Sequence, residues 1–74
     1  MHLERGGALF VEGLPVKIWM LQSRVRDLLQ ADPRRPVLVV SDRLVAAEKL
    51  NEVVDQCRLA GASDVGVATS EEAG

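Results

Sequence analysis

The sequence has few of the side chains on which catalytic and metal sites most often depend. Its 74 residues include one cysteine, one histidine, one phenylalanine, one tryptophan and no tyrosine. A single cysteine excludes both an intrachain disulfide and a cysteine-rich metal site, and no cluster of carboxylates is visible that could bind a metal instead. We therefore expect no catalytic residues, no metal and no cofactor.

The charged residues also exclude some classes of protein. Nine Lys and Arg against eleven Asp and Glu give a net charge of −2, and the basic residues are scattered, so nucleic-acid binding is not expected. No apolar run approaches the roughly 18–20 residues of a membrane span, and no signal peptide is visible. We expect one domain over residues 1–74, either a complete small protein or part of a longer one.

The first half of the chain predicts a hairpin and a helix. HLERGGALFVEG indicates two strands joined at Gly6-Gly7, and Gly13 and Pro15 are expected to end the second strand. Apolar residues then recur at helical spacing from Lys17 to Gln30. Trp19, at the start of this helix, is expected to be a partly buried packing residue.

The second half predicts a strand, a helix and a last strand. Pro36 to Val40 is a short β-branched run expected to be buried on both faces. A helix with an apolar stripe from Leu50 to Ala60 is expected to end at Gly61, and its Cys57 is expected to be a small core residue. Asp64 to Thr69 is the last strand, and residues 70–74 are expected to be a frayed tail.

These elements give an α+β fold with the order ββαβαβ, in which two helices pack on one face of a small mixed sheet. Because side chains alternate along a strand, Leu38 and Val40 point to one face and Val37 and Val39 to the other. The helices can cover only one of these sets. The other set is expected to be exposed apolar surface of the kind that marks an interaction site.

Ser41-Asp42-Arg43 follows the central strand and has two interpretations. A carboxylate at the carboxyl end of a strand lies where ligands often bind in α/β sheets. Asp and Ser also stabilise turns by accepting hydrogen bonds from downstream amides. No glycine-rich phosphate loop, histidine base or second acid lies nearby in the sequence, so we interpret the three residues as a structural turn.

The order of these features resembles the periplasmic domain of the ExbD/TolR family. In the first half of the chain, a glycine turn is followed by Leu9, Val11, Gly13, Pro15 and Val16. The second half has a strand that leads into Ser41-Asp42-Arg43, a helix that ends at Ala60-Gly61 and a strand with Val65-Gly66-Val67, all within PVLVVSDRLVAAEKLNEVVDQCRLAGASDVGVAT. The sequence departs from the family at Ala46-Ala47, where members often have a capping residue and then an aromatic. Alanine cannot cap the following helix with its side chain.

The resemblance implies an accessory subunit of a proton-driven inner-membrane motor, anchored by a single transmembrane helix that this sequence lacks. The implied partners are a second copy of the chain, a TonB- or TolA-like energy transducer and an ExbB- or TolQ-like proton-channel subunit. For TolR-like members they also include peptidoglycan. The alternative is a complete cytosolic regulatory or ligand-binding module.

We expect the partner to bind as an added strand. The last strand has no further element to shield it and is expected at a sheet edge, where an exposed backbone pairs readily with another chain. The candidate partner-binding residues are Val65, Val67, Ala68 and Thr69 on that strand, with Leu38 and Val40 as one of the two sets that could lie on the uncovered face. A homodimer is expected to cover that face; the alternative is a monomer whose own hairpin covers it.

Overall fold

The structure, a computed structural model, describes residues 1–70. Within this range the chain forms strand β1 (His2–Leu3), β2 (Leu9–Val11), β3 (Leu14–Val16), a 3₁₀ turn (Ile18–Met20), helix α1 (Leu21–Ala31), β4 (Val37–Asp42), helix α2 (Ala47–Leu59) and β5 (Val65–Ser70). Ser70, predicted to begin a tail, is the last residue of β5. The rest of that predicted tail, residues 71–74, lies outside the described residues.

The strands form one mixed sheet in the order β3-β2-β1-β4-β5. β1 pairs antiparallel with β2 and parallel with β4, and β4 pairs parallel with β5. The predicted α+β class is therefore confirmed. The sheet order also places β5 at one edge, as expected.

The strand β3 was not predicted, so the order is βββαβαβ rather than ββαβαβ. Gly13 does not end the strand pairing but turns it, because Glu12 and Gly13 have φ angles of 52° and 81°, as a two-residue type I′ hairpin requires. Pro15 then lies within the new strand, opposite Phe10. Proline is tolerated there because β3 is an edge strand.

Both helices pack on the same face of the sheet. Val25 of α1 and Val53 of α2 are fully buried in one core with Leu3 and Val39 of the sheet. Val37 is also turned toward this core, whereas Leu38 faces away and is 53% exposed. The expected split between the two faces is therefore confirmed. The predicted burial of this strand on both faces is wrong, because no third layer covers Leu38 within residues 1–70.

Helix α1 begins at Leu21, later than predicted, after the 3₁₀ turn. The prediction of a partly buried Trp19 is wrong, since this side chain is 78% exposed. The buried stripe of α1 starts at Leu21 and continues through Val25. Trp19 precedes that stripe by two positions, which at about 100° per residue turns it to the opposite side.

Helix α2 has the predicted ends. Its N-cap is Ala46, which makes no side-chain hydrogen bond to the first turn, and Gly61 follows the helix with a φ of 107°. Cys57 is completely buried on the inner face of the helix, as expected for a core residue, and this burial raises the pKa of its thiol. Gln22 of α1 donates a 2.8 Å hydrogen bond to Gln56 of α2 and links the two helices.

Candidate functional site

The hydrogen bonds of β4 determine which backbone groups of β5 remain free. The Val37 N–H donates to the Asp64 carbonyl at 2.8 Å, and the Arg43 N–H donates to the Ser70 carbonyl at 3.3 Å. In this parallel register Val39 lies opposite Val67. A strand residue directs its N–H and C=O to the same side, and successive residues alternate. Residues 66, 68 and 70 therefore pair with β4.

The N–H and C=O groups of Val65, Val67 and Thr69 consequently point away from the sheet. They lie on the open side of β5, which is the last strand in the sheet order. As far as residues 1–70 are concerned, three donors and three acceptors are thus available at alternate positions along one six-residue strand. This is the arrangement with which an extended segment of another chain can pair.

The side chains of β5 differ between the two faces of the sheet. Val67 shares the helix-facing side with Val39, but it is 47% exposed because it lies at the edge. On the outer face Ala68 lies opposite Val40. Both surfaces beside the free backbone groups are therefore apolar, which favours an apolar strand as partner.

The structure brings all six candidate partner-binding residues together on two neighbouring strands. Leu38 and Val40 lie on the outer face of β4, and the other four, Val65, Val67, Ala68 and Thr69, form most of β5. Sequence reasoning did not include Gly66, which lies opposite Leu38 on the outer face. The signal that could have identified it is a glycine inside a strand, where close approach of another chain is a common reason.

The turn after β4 begins at Arg43, later than the sequence indicated, because Ser41 and Asp42 still belong to the strand. Ser41 is buried. The Leu44 N–H donates to the Asp42 carboxylate at 2.9 Å, and the Arg5 guanidinium lies 3.6 Å from the same oxygen. These contacts suit a turn-stabilising residue, and the structural role of Asp42 stays a prediction.

Residues 1–70 present one long open strand edge, at β5. The same residues contain no group of three or more His, Cys, Asp or Glu side chains that could hold a metal ion. Neither α1 nor α2 has the length and apolar character needed to cross a membrane. A family model described as "Biopolymer transport protein ExbD/TolR" matches residues 1–72. The chain belongs to the ExbD/TolR family.

Membership of the ExbD/TolR family implies an accessory subunit of a biopolymer-transport motor. Members of this family are transport accessory proteins rather than enzymes. A search of the curated proteins finds no significant match. The family and the open edge of β5 are therefore the two findings on which a functional proposal can rest.

Proposed function

We propose that this chain is the periplasmic domain of an accessory subunit of a proton-motive-force-driven inner-membrane motor of the ExbB–ExbD–TonB or TolQ–TolR–TolA type. Its membership of the ExbD/TolR family supports a role in biopolymer transport. In this proposal an apolar segment outside the 74 residues anchors the subunit and contacts the ExbB- or TolQ-like channel. A full-length reading frame with an apolar stretch of about 20 residues upstream supports this placement; its absence favours the cytosolic module.

In this function the edge of β5 receives an extended segment of the TonB- or TolA-like energy transducer. The observation that carries the proposal is the set of outward N–H and C=O groups at Val65, Val67 and Thr69. Strand addition obtains its affinity from main-chain hydrogen bonds, and the neighbouring side chains supply specificity. The exposed Val67 beside these groups offers apolar surface to the incoming strand.

The outer face of the sheet is the proposed contact with a second copy of the chain. Leu38 is 53% exposed there, next to the partly buried Val40, and a domain of this size has a small core that a partner commonly supplements. Sedimentation at low and high protein concentration should show a monomer that converts to a dimer. A monomer at every concentration would contradict the homodimer and leave the edge proposal standing.

Replacement of Val67 by proline tests the role of the edge. Val67→Pro removes one outward N–H but none of the hydrogen bonds between β4 and β5. Loss of one hydrogen bond should weaken binding of a TonB- or TolA-derived peptide about fivefold, and the pyrrolidine ring should hinder docking further. Val67→Thr is the matched control, because it keeps both the amide and the β-branched shape.

Binding should be measured by amide chemical-shift titration, which also reports whether each variant is folded. The TonB and TolA peptides are titrated separately to choose between the two branches of the family. Co-sedimentation with peptidoglycan tests the TolR-like branch in addition. If a folded Val67→Pro variant binds its peptide as tightly as the parent, β5 is not the docking edge.

A further inference from the structure

Gly66 lies in the middle of the edge strand although nothing within residues 1–70 requires a glycine there. It is absent from the glycines with positive φ, which are Gly7, Gly13 and Gly61. A Cβ atom built on it would meet only the Leu38 Cδ1 atom, at 3.6 Å, which is an ordinary contact. A glycine inside a strand costs conformational entropy and leaves a gap in packing. A partner that packs against this position would account for the glycine.

The position of Leu38 indicates on which side of Gly66 a partner would pack. Its side chain reaches across to the space above Gly66 on the outer face, where it is 53% exposed. Beyond Gly66 lies the open edge, with the outward amides of Val65 and Val67 on either side. Gly66, Leu38 and the outward amides of Val65 and Val67 together form a step at the edge of the sheet, which is accessible to the side chain of an added strand.

The spacing of strands determines which side chain can fill this step. A strand added to β5 lies about 9.5 Å from β4, twice the usual strand separation. Leu38 already extends over the intervening strand, so a leucine, methionine or phenylalanine from the added strand can meet it above Gly66. An alanine or serine is too short to do so. A branched side chain at position 66 would stand between Leu38 and the incoming side chain.

We infer that the strand received by β5 carries one bulky apolar side chain opposite Gly66, which lies over the glycine and packs against Leu38. This inference rests on the proposed docking at β5 and adds the class of partner sequence that the edge selects. Because Gly66 directs its own N–H and C=O to β4, an antiparallel partner residue opposite it forms a non-hydrogen-bonded pair. Such pairs have Cα atoms only about 4.5 Å apart and side chains in close contact.

Two tethered peptides test the inference. Each is joined to the end of the full 74-residue chain by a Gly/Ser linker of about 12 residues, which spans roughly 20 Å and gives an effective concentration in the millimolar range. The peptides have the sequence Lys-Thr-Val-Thr-X-Thr-Val-Thr-Lys, where X is leucine in one and alanine in the other. Hydrogen exchange at the Val65, Val67 and Thr69 amides reports docking, since these amides become protected only when a strand is added.

We expect the leucine peptide to dock with an equilibrium constant about fivefold larger than that of the alanine peptide, because its side chain is half-buried on the step. Gly66→Val and Leu38→Ala should each reduce this ratio to about one. Leu44→Ala is the control for Leu38→Ala, because Leu44 is 54% exposed but lies in the turn after β4, and it should leave the ratio unchanged.

The possible failures are distinguishable. If neither peptide protects the three amides, β5 does not accept a strand, and both the proposed docking and the inference are wrong. If both peptides protect them and the ratio does not respond to Gly66→Val or Leu38→Ala, the edge docks a strand but the step does not select its side chain. That second result overturns the inference alone.

Discussion

The two edges of the sheet differ in length and in the backbone groups that they present. β3 has three residues and β5 has six. In the β2–β3 hairpin, Val11 and Leu14 flank a two-residue turn and form a hydrogen-bonded pair. The next pair, Phe10 and Pro15, is therefore not hydrogen-bonded, and the backbone groups of position 15 point to the open edge. Proline has no N–H, so β3 presents no outward donor within the strand, whereas β5 presents three.

This difference favours β5 over β3 as the edge at which the proposed strand addition takes place. Proline and short length are common means of protecting an edge from unwanted pairing, and β3 has both. β5 has neither, since Val65–Ser70 contains no proline and pairs in regular register along its whole length. Within residues 1–70 only the β5 edge lacks these protections, which agrees with the proposed docking at β5.

The largest expected effect comes from moving the proline substitution by one residue within β5. Ala68→Pro removes an N–H that faces the carbonyl of the fully buried Val39 in β4, so this carbonyl is left without its donor. This should lower the free energy of unfolding by about 1–3 kcal/mol. Val67→Pro, which faces the open edge, should lower it clearly less. Urea denaturation of both variants measures the difference.

Equal losses for the two variants would contradict the alternation of inward and outward amides along β5. Ala68→Val is a useful control for side-chain size, because it keeps the amide and suits a strand. If Ala68→Val is as unstable as Ala68→Pro, the loss comes from crowding beside Val40 rather than from the ladder.

An intermediate effect is expected at the turn that follows β4. Asp42→Ala removes the acceptor of the Leu44 N–H and the ion pair with Arg5. The loss should be about 1 kcal/mol, mostly from the hydrogen bond, since Arg5 is largely exposed and its pair contributes little. Thermal unfolding measures it, with Asp42→Asn as the control that keeps an acceptor oxygen.

Docking of a peptide at β5 should be unchanged in Asp42→Ala, because the carboxylate belongs to the turn and not to the edge. If the variant unfolds at the parental temperature and no longer binds the peptide, Asp42 is part of the docking site. Docking at β5 would then depend on the Asp42 side chain as well as on the outward backbone groups.

The sequence predicted the parts of this fold that depend on long local patterns. β4 and α2 were recognisable from a β-branched run and from helical spacing that ends at Gly61. β3 was not, because Gly13 and Pro15 are typical of a break, and only tertiary pairing with β2 makes them a turn and an edge residue. Trp19 was misplaced because the 3₁₀ turn before α1 shifts the start of the buried stripe.

The sequence predicted which strand forms the candidate site but not which of its backbone amides face outward. A last strand without a covering element is expected at an edge, and β5 lies there. Which amides face outward depends on its register with β4, in which Val37 lies opposite Val65. A shift by one residue would direct Gly66 and Ala68 outward instead. That register is set by packing between distant parts of the chain and is not visible in the local sequence.

The smallest effect tests the other edge. Pro15→Thr introduces an N–H that, by the hairpin pattern, points to solvent rather than to β2. The unfolding free energy should fall by only about 0.4–1 kcal/mol, because proline restricts the unfolded chain more than threonine does. The new amide at position 15 should exchange its hydrogen rapidly, whereas the amide at position 14 of a Leu14→Thr control should be protected by its bond to Val11. A protected amide at position 15 would mean that this amide points to β2 rather than to solvent. The outward groups of β3 would then be those of positions 14 and 16, and β3 would present outward donors after all.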